Sequence, residues 1–139
     1  MALAMDKSAL EDFLAREFPQ VADEFTVEHV AEMAVRIRLN VRDKHLRPGG
    51  TVSGPSMFAL ADVSIYLAVL AMIGPKALSV TTNIAMDFMR KPAAETDLIC
   101  EARLLKLGRS LAVGDCLIFS EGMAEPVARA SMTYAIPPR

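Results

Sequence analysis

Residues 53–74 read SGPSMFALADVSIYLAVLAMIG, and this stretch decides the fold. The run from Met57 to Ile73 is apolar nearly all round a helix, and Asp62 is the only charge within it. A proline near the start and Gly74 after the end bracket the run, as they bracket helices of globular proteins. The stretch predicts a long central helix over about 55–73, which other elements must surround because it has no polar face. The charge and the short length argue against a membrane span.

The sequence on either side of this helix carries the patterns of a second helix and several strands. A short amphipathic helix is predicted at 7–18, with Ser8 as its cap, and an alternating strand at 31–41. Residues 42–56 are predicted to be a loop. We expect an α+β domain covering residues 1–139, in which an antiparallel sheet of about five or six strands wraps the central helix. The remaining strands, joined in part by hairpin-sized turns, are predicted at 78–90, 97–107, 111–119 and 126–136.

Composition excludes several classes of function. The formal net charge is −2, so the chain has no basic excess with which to bind nucleic acid. Two cysteines and two histidines form no zinc-ligand pattern, and no metal site is expected. The N-terminus lacks a signal-peptide pattern, which favours a reduced cytoplasmic protein with no membrane partner. Apolar residues make up 53% of the 139 residues, and this surplus predicts apolar surface buried between subunits.

Asp62 is the first candidate functional residue, because a carboxylate within an apolar helix needs partners, a proton or a cavity. A structural role also stays open, in which Asp62 bonds a nearby hydroxyl such as that of Ser64 or Tyr66, or reaches the edge of the protein. The helix start is a second candidate, because unpaired N–H groups near Gly54 favour an anion and can stabilise a developing oxyanion. The alternative is that glycine and proline only punctuate the helix there.

The spacing of these two candidates points to an association of subunits. Asp62 follows Gly54 by eight residues, or about 12 Å of helix rise. That distance is too great for the Asp62 carboxylate and the Gly54 N–H to hold one small group within one subunit. A two-fold dimer could bring Asp62 of one chain opposite the helix start of the other.

Residues 45–62, HLRPGGTVSGPSMFALAD, carry a recognisable motif. They resemble the signature of the phenylacetyl-CoA thioesterase-like branch of the 4-hydroxybenzoyl-CoA thioesterase superfamily, whose members have the hotdog fold. That signature runs His-x-Asn-x-x-Gly-x-x-His-Gly-Gly and closes with Leu-Ala-Asp. The resemblance covers about residues 31–136. It includes three later stretches, TTNIAMDFMRKP at 81–92, KLGRS at 106–110 and VARASMTY at 127–134.

The resemblance implies roles for the residues at matching positions. The backbone N–H of Gly54 would polarise a thioester carbonyl, and Asp62 would act as general base or nucleophile. Family dimers take these two groups from opposite chains. His45 and Gly50 also fall on positions of the signature.

Three positions depart from the signature. Arg47 replaces the Asn, Ser53 replaces the second His, and Pro55 replaces the second Gly. The Asn and His positions help orient substrate or water, so these departures bear on rate and substrate preference, and Arg47 adds a cation near the mouth. The substrate-binding residues expected from the resemblance are His45, Arg47, Ser53, Pro55, Phe58, Tyr66 and Asn83. The residues expected to contact coenzyme A (CoA), as cations or hairpin groups near its phosphates, are Arg90, Lys91, Arg109 and Ser110.

The resemblance as a whole implies hydrolysis of an acyl-CoA thioester to the free acid and CoA. The expected assembly is a homodimer, which pairs further into a tetramer. No cofactor is expected, because CoA is part of the substrate. Two alternatives stay open. The first is an acyl-CoA-binding hotdog protein without catalysis, motivated by Arg47 and Ser53. The second is a hotdog enoyl-CoA hydratase or dehydratase, which usually relies on a histidine beside a carboxylate.

Overall fold

The structure is a computed structural model that describes residues 2–76 and 78–138, so both end residues of the predicted 1–139 domain lie outside the described residues. Helix α1 spans Lys7–Glu17 and helix α2 spans Gly54–Ile73. Two single turns of 3₁₀ helix lie at Ala22–Glu24 and Asp43–His45. The six described strands are β1 (Phe25–Ala31), β2 (Ala34–Leu39), β3 (Val80–Phe88), β4 (Leu98–Leu107), β5 (Leu111–Ser120) and β6 (Ala128–Ala135).

The six strands form one antiparallel sheet that wraps α2, as predicted. Their order is β1-β2-β4-β5-β6-β3. Burial alternates along β4, β5 and β6, so each of these strands turns one face toward the helix. By length and composition α2 could cross a membrane, but 67% of its most apolar window is buried inside the protein. The helix is therefore the core of the fold, and its lack of a polar face reflects this enclosure.

The N-terminal part of the fold differs from the prediction in two places. The cap of α1 is Asp6, whose carboxylate accepts a hydrogen bond of 2.9 Å from the Ala9 N–H, whereas Ser8 lies inside the helix. The strand predicted at 31–41 is confirmed as β2, with the shorter bounds Ala34–Leu39. Strand β1 before it was not predicted, and the two strands form a hairpin whose turn places Met33 at φ 62°. The alternation of apolar residues continues through this turn and hides it.

Strand β3 lies at the edge of the sheet and, among the described residues, pairs with β6 alone. A β-bulge between Thr81 and Asn83 shifts the register, so Thr81 lies opposite Tyr134 and Asn83 lies opposite Thr133. Thr133 and Tyr134 are neighbours on β6 and therefore face opposite sides of the sheet. Their partners follow them, so Thr81 turns toward α2 with Tyr134, and Asn83 turns away from α2 with Thr133.

Candidate active site

Asp62 lies on α2, a little over two turns after the helix start, and is partly buried. Its Oδ1 atom accepts a hydrogen bond of 2.6 Å from the Thr81 hydroxyl, and the Tyr134 hydroxyl donates to the same oxygen. The Tyr134 hydroxyl also lies 2.7 Å from the backbone carbonyl oxygen of Asp62. Among the described residues, none donates a hydrogen bond to the other carboxylate oxygen, Oδ2. One oxygen is thus held in place and the other is open to a ligand.

Thr81 and Tyr134 reach Asp62 because they stand opposite each other on β3 and β6, on the face that covers the helix. Neither residue was among the predicted site residues, although both lie in stretches that carry the family resemblance. The available signal was the alternation along β6, which places the hydroxyl of Tyr134 on an otherwise apolar buried face. The alternative in which Asp62 bonds the Ser64 hydroxyl is wrong, because that hydroxyl donates to the Leu60 carbonyl at 2.7 Å.

Asp62 opens into a cavity of about 570 Å³ with mostly apolar walls. The end of α1 and the residue after it contribute Leu14 and Phe18, and α2 contributes Tyr66. The Tyr66 ring stacks on the Tyr134 ring with centroids 6.1 Å apart, and Phe18 meets Tyr66 edge-on at 5.8 Å. These walls suit an apolar group bound next to the carboxylate.

Ser79 adds a polar group to the wall of the same cavity. Its side chain is buried, with 5% of the residue exposed, and its hydroxyl has no hydrogen-bond partner among the described residues. A buried hydroxyl of this kind is available to a water molecule or a ligand.

The two tyrosines of the cavity are held in their protonated form. Burial raises the pKa of Tyr66 to about 12. Burial and then the negative charge of Asp62 raise the pKa of Tyr134 well above its usual value. Tyr134 therefore keeps its proton, donates a hydrogen bond to Asp62 and does not act as a base.

The start of α2 leaves one backbone donor free. Ser53 is the cap, and its hydroxyl oxygen accepts from the Ser56 N–H at 3.3 Å. Pro55 has no N–H, and the Met57 N–H donates to the Ser53 carbonyl at 3.1 Å. Among the described residues, none accepts a hydrogen bond from the Gly54 N–H. Gly54, the first residue of the helix, can therefore donate to a ligand.

Gly54 opens into a different cavity, of about 710 Å³. Three of the cations predicted to bind substrate or CoA, Arg47, Arg90 and Lys91, line this cavity with it. Arg90 also pairs with Glu125 at 3.1 Å, and both side chains are largely exposed. The Gly54 cavity is therefore rimmed by positive charge, whereas the Asp62 cavity is lined by apolar groups.

His45 occupies a different environment from the exposed loop position that its sequence neighbours indicate. It is 5% exposed, its Nδ1 accepts from the Arg42 N–H at 2.8 Å, and its Nε2 lies 2.8 Å from Glu24 Oε1. Nε2 therefore carries the proton and donates to Glu24. The His45 carbonyl accepts from the Ser53 N–H at 2.8 Å, which closes the loop before α2. Both ring nitrogens of His45 are bonded within the chain, so His45 positions the loop before α2. Its role as a substrate-binding group stays a prediction.

Glu24 anchors this loop from the other side. Its Oε2 lies 2.6 Å from the Lys44 ammonium. Burial raises the pKa of the Glu24 carboxyl, but hydrogen bonds and charges from Lys44 and His45 outweigh burial and leave it lowered. The carboxylate is thus ionised in the folded protein at neutral pH.

Phe58 and Asn83, which were predicted to bind substrate, line neither the Asp62 cavity nor the Gly54 cavity. Phe58 is 41% exposed and lies on the helix stripe between Gly54 and Asp62. Asn83 is exposed on the outer face of the sheet, because the bulge in β3 turns it away from α2. Within one subunit neither side chain contacts the Asp62 cavity.

The predicted CoA contacts separate into two groups. Arg109 and Ser110 line a third cavity, of about 760 Å³, together with Met72 and Ile73 at the far end of α2. Arg90 and Lys91 lie with Gly54 at the start of the helix. No single cavity described here holds all of these groups.

No group of three or more histidine, cysteine or carboxylate side chains that could hold a metal ion lies within residues 2–76 and 78–138. The catalytic candidates are instead divided between cavities, with the carboxylate in one and the free backbone donor in the other. Within one chain the Asp62 carboxylate and the Gly54 N–H therefore cannot bind the same small group.

Comparison with known proteins places this geometry in a family. Residues 49–127 match the family model of the thioesterase superfamily. A protein from Silicibacter sp. TM1040, provisionally described as a thioesterase, is 61% identical, and its crystal structure superposes with a TM-score of 0.93 over 99% of this chain and 96% of that chain. A variant of the phenylacetic acid degradation protein PaaI from Thermus thermophilus is 27% identical, with a TM-score of 0.72 over 86% of this chain and 99% of that chain.

A more distant structure shares the fold. A hypothetical thioesterase protein from Streptococcus pneumoniae TIGR4, solved with coenzyme A, is 20% identical, with a TM-score of 0.77 over 94% of this chain and 98% of that chain. These likenesses confirm the predicted hotdog fold, a sheet of six strands around a central helix. The chain belongs to the thioesterase superfamily.

Proposed function

We propose that this protein hydrolyses an acyl-CoA thioester to the free acid and CoA. The observation that carries the proposal is the state of Asp62, with Oδ1 held by two hydroxyls and Oδ2 open to an apolar cavity of about 570 Å³. Such a carboxylate can take a proton from water or attack a carbonyl carbon beside a bound apolar group. Membership of the thioesterase superfamily supports this chemistry. The relative solved with coenzyme A supports a CoA ester as substrate.

We infer that a second copy of the chain completes the site. Two half-sites, the Asp62 cavity and the Gly54 cavity, have exposed apolar side chains beside them. Phe58 on α2 is 41% exposed, and Val80 and Phe88 on the edge strand β3 are 55% and 54% exposed. An edge strand whose outer side has no partner and which carries exposed apolar groups is suited to pairing with another copy. A two-fold axis beside α2 brings Gly54 of the second copy opposite Asp62. A homodimer is sufficient for this arrangement, and a tetramer stays a prediction.

The proposed reaction uses the free atoms of the two half-sites. Asp62 Oδ2 removes a proton from a water that attacks the thioester carbon. Alternatively, Oδ2 attacks the carbon itself to form an acyl-aspartate that water then hydrolyses. In both routes the carbonyl oxygen gains charge, to which Gly54 N–H of the second copy donates. The C–S bond breaks, and the sulfur leaves as the CoA thiolate and is then protonated. The unpartnered hydroxyl of Ser79 is available to hold the water.

The charge distribution suggests how CoA would lie. Arg47, Arg90 and Lys91 share a cavity with Gly54, and cations of this kind pair with phosphates. In the proposed dimer the phosphates lie at the start of α2 of one chain and the acyl group lies in the Asp62 cavity of the other. Contacts from Arg109 and Ser110 stay a prediction, because these residues lie at the opposite end of α2. We also propose a cytoplasmic location, where both free cysteines remain reduced.

The experiment is thiol release from a panel of aryl- and alkyl-CoA esters by the wild type and by Asp62→Asn. We expect kcat to fall about 10²- to 10⁴-fold in the variant, the range for loss of a general base. The matched control is Asp87→Asn, which removes an exposed carboxylate paired with Arg129 at 2.7 Å on the outer face of the sheet. Undiminished hydrolysis by Asp62→Asn would contradict the assignment.

The same panel distinguishes the two alternatives. Saturable binding of a CoA ester with no thiol release over hours would favour a binding protein. Hydration of an enoyl-CoA would favour a hydratase, but the structure offers no histidine near Asp62. The His45 ring is bonded to Glu24, and His29 lines a cavity on the outer face of the sheet.

A further inference from the structure

Tyr134 brings a polar group to the otherwise apolar inner face of β6. The residue is 2% exposed, and its ring packs on Tyr66. The polar groups that its hydroxyl meets belong to Asp62 and Thr81. The contact joins residues that are 72 positions apart in the sequence. The end of the sheet is thus tied to the functional carboxylate and to the helix backbone at the same residue.

We propose that Tyr134 is a positioning residue: together with Thr81 it holds Oδ1 of Asp62, so that Oδ2 alone faces the water or thioester. The proposal rests on the proposed hydrolysis and adds to it the choice of the reacting oxygen. Thr81 lies on the neighbouring strand and donates to Oδ1 at 2.6 Å. The two hydroxyls therefore hold one carboxylate oxygen from two strands.

The carboxylate needs this support because the side chain of Asp62 rotates easily about χ2. Rotation about the bond to a carboxyl group is broad and exchanges the two oxygens. The Tyr134 hydroxyl lies against both Oδ1 and the backbone carbonyl of Asp62, so it fixes the side chain relative to its own helix turn. Reacting atoms must lie about 3–3.5 Å apart, and a misplacement of about 1 Å lowers a rate by about 10²-fold.

Tyr134 is suited to this role because it keeps its proton. Burial and the charge of Asp62 raise the pKa of its hydroxyl, so the phenol does not compete with Asp62 as a base. A hydroxyl has one proton to donate, and both acceptors it meets belong to Asp62. The phenol therefore stays a hydrogen-bond donor that restrains Asp62.

The first test compares steady-state kinetics of single variants on the best CoA ester of the panel. Tyr134→Phe should lower kcat about 10- to 100-fold and change KM by less than about twofold, because geometry is lost and substrate contacts are kept. Thr81→Val should act in the same direction, and Thr81→Ser should restore kcat because it keeps a hydroxyl. The control is Thr82→Val, since the exposed Thr82 hydroxyl donates to the Thr133 carbonyl at 3.3 Å and does not contact Asp62.

Three outcomes would overturn the role of Tyr134. The first is a kcat of Tyr134→Phe within twofold of the wild type, and the second is a rise in KM alone, which would indicate substrate contact. The third is full additivity with Asp62→Asn, because a residue that acts through Asp62 should have no further effect once that carboxylate is gone. Inactivity of the wild type on every ester would instead contradict the proposed hydrolysis, so the two failures are distinguishable.

A second measurement needs no substrate. The chain has two tyrosines, so a Tyr66→Phe background leaves one tyrosine hydroxyl to follow by proton NMR. The Tyr134 hydroxyl resonance should lie downfield when it donates to a carboxylate and move upfield in Asp62→Asn. An unchanged resonance would overturn the proposed contact even in a fully folded protein.

Discussion

Two inactive variants should restore activity to each other if each site takes Asp62 from one chain and the Gly54 N–H from the other. Asp62→Asn removes the carboxylate and keeps the backbone donor. Gly54→Pro removes the N–H at the first helical residue, a position that proline tolerates. Gly54→Ala is the matched control because it keeps the N–H, and its added Cβ meets the Phe88 ring at 3.5 Å, an ordinary contact.

The magnitude follows from the geometry of the two half-sites. Each variant alone should lose about 10²-fold or more in kcat, because an oxyanion donor contributes about 10²- to 10³-fold and a general base about 10²- to 10⁴-fold. Random exchange of equal amounts yields about half heterodimers, each with one intact site of two. The mixture should therefore recover about a quarter of the wild-type activity. About 12 Å of helix rise separates Gly54 from Asp62, which argues against a site within one chain. If the site did lie within one chain, the mixture would recover nothing, because every chain lacks one of the two groups.

The assay is thiol release after the two variants are unfolded and refolded together, with each variant refolded alone as reference. A second mixture pairs the wild type with the double variant Asp62→Asn/Gly54→Pro. Shared sites leave about a quarter of the wild-type activity there, because both sites of each heterodimer are defective. A site within one chain leaves about half. The reasoning is refuted if the single variants do not complement and the second mixture keeps half.

Three further predictions concern stability and the acyl cavity. Gly114→Ala should lower the free energy of unfolding in urea by about 1–3 kcal/mol or more, because its Cβ would lie 2.8 Å from the Arg103 carbonyl oxygen; a loss no greater than that of Gly54→Ala would contradict this. The folded-state pKa of Glu24 is lowered, so its stabilisation is present above the ordinary value of 4.5 and is lost as pH falls through the folded value. The Tm advantage of the wild type over Glu24→Gln should therefore shrink as the pH falls below 4.5, and a constant difference would refute the linkage. Phe18→Ala should open the cavity and raise kcat/KM for long relative to short acyl-CoAs by about tenfold; an unchanged chain-length profile would exclude Phe18 from the pocket.

The fold followed from the sequence where one pattern dominates a long segment. The run from Met57 to Ile73 has no polar face, so burial is its only stable environment, and the alternating strands around it had to supply that cover. The β1–β2 hairpin was missed because no glycine or proline marks its turn, and Met33 itself takes the left-handed conformation. Local patterns therefore failed where a tight turn was made by an ordinary residue.

The candidate site followed from the sequence only where a residue breaks its local pattern. Asp62 is a charge in an apolar helix, and Gly54 stands at the helix start. Tyr134 leaves only a weak signal, one hydroxyl on the apolar face of β6. Thr81 breaks no pattern, because its position depends on a bulge that sets the register of β3 against β6. The bonding partner of His45 could not be predicted either, because Glu24 lies 21 residues away, in a turn that local periodicity does not place.

The departures from the family signature at the helix start have a common physical consequence. Ser53 in place of histidine supplies a cap that occupies the Ser56 N–H, and Pro55 in place of glycine has no N–H to offer. The Met57 N–H is already bonded to the Ser53 carbonyl. The positive end of the helix dipole is thereby left with the Gly54 N–H as its free donor among the described residues. These substitutions therefore keep the one backbone group on which the proposed chemistry depends.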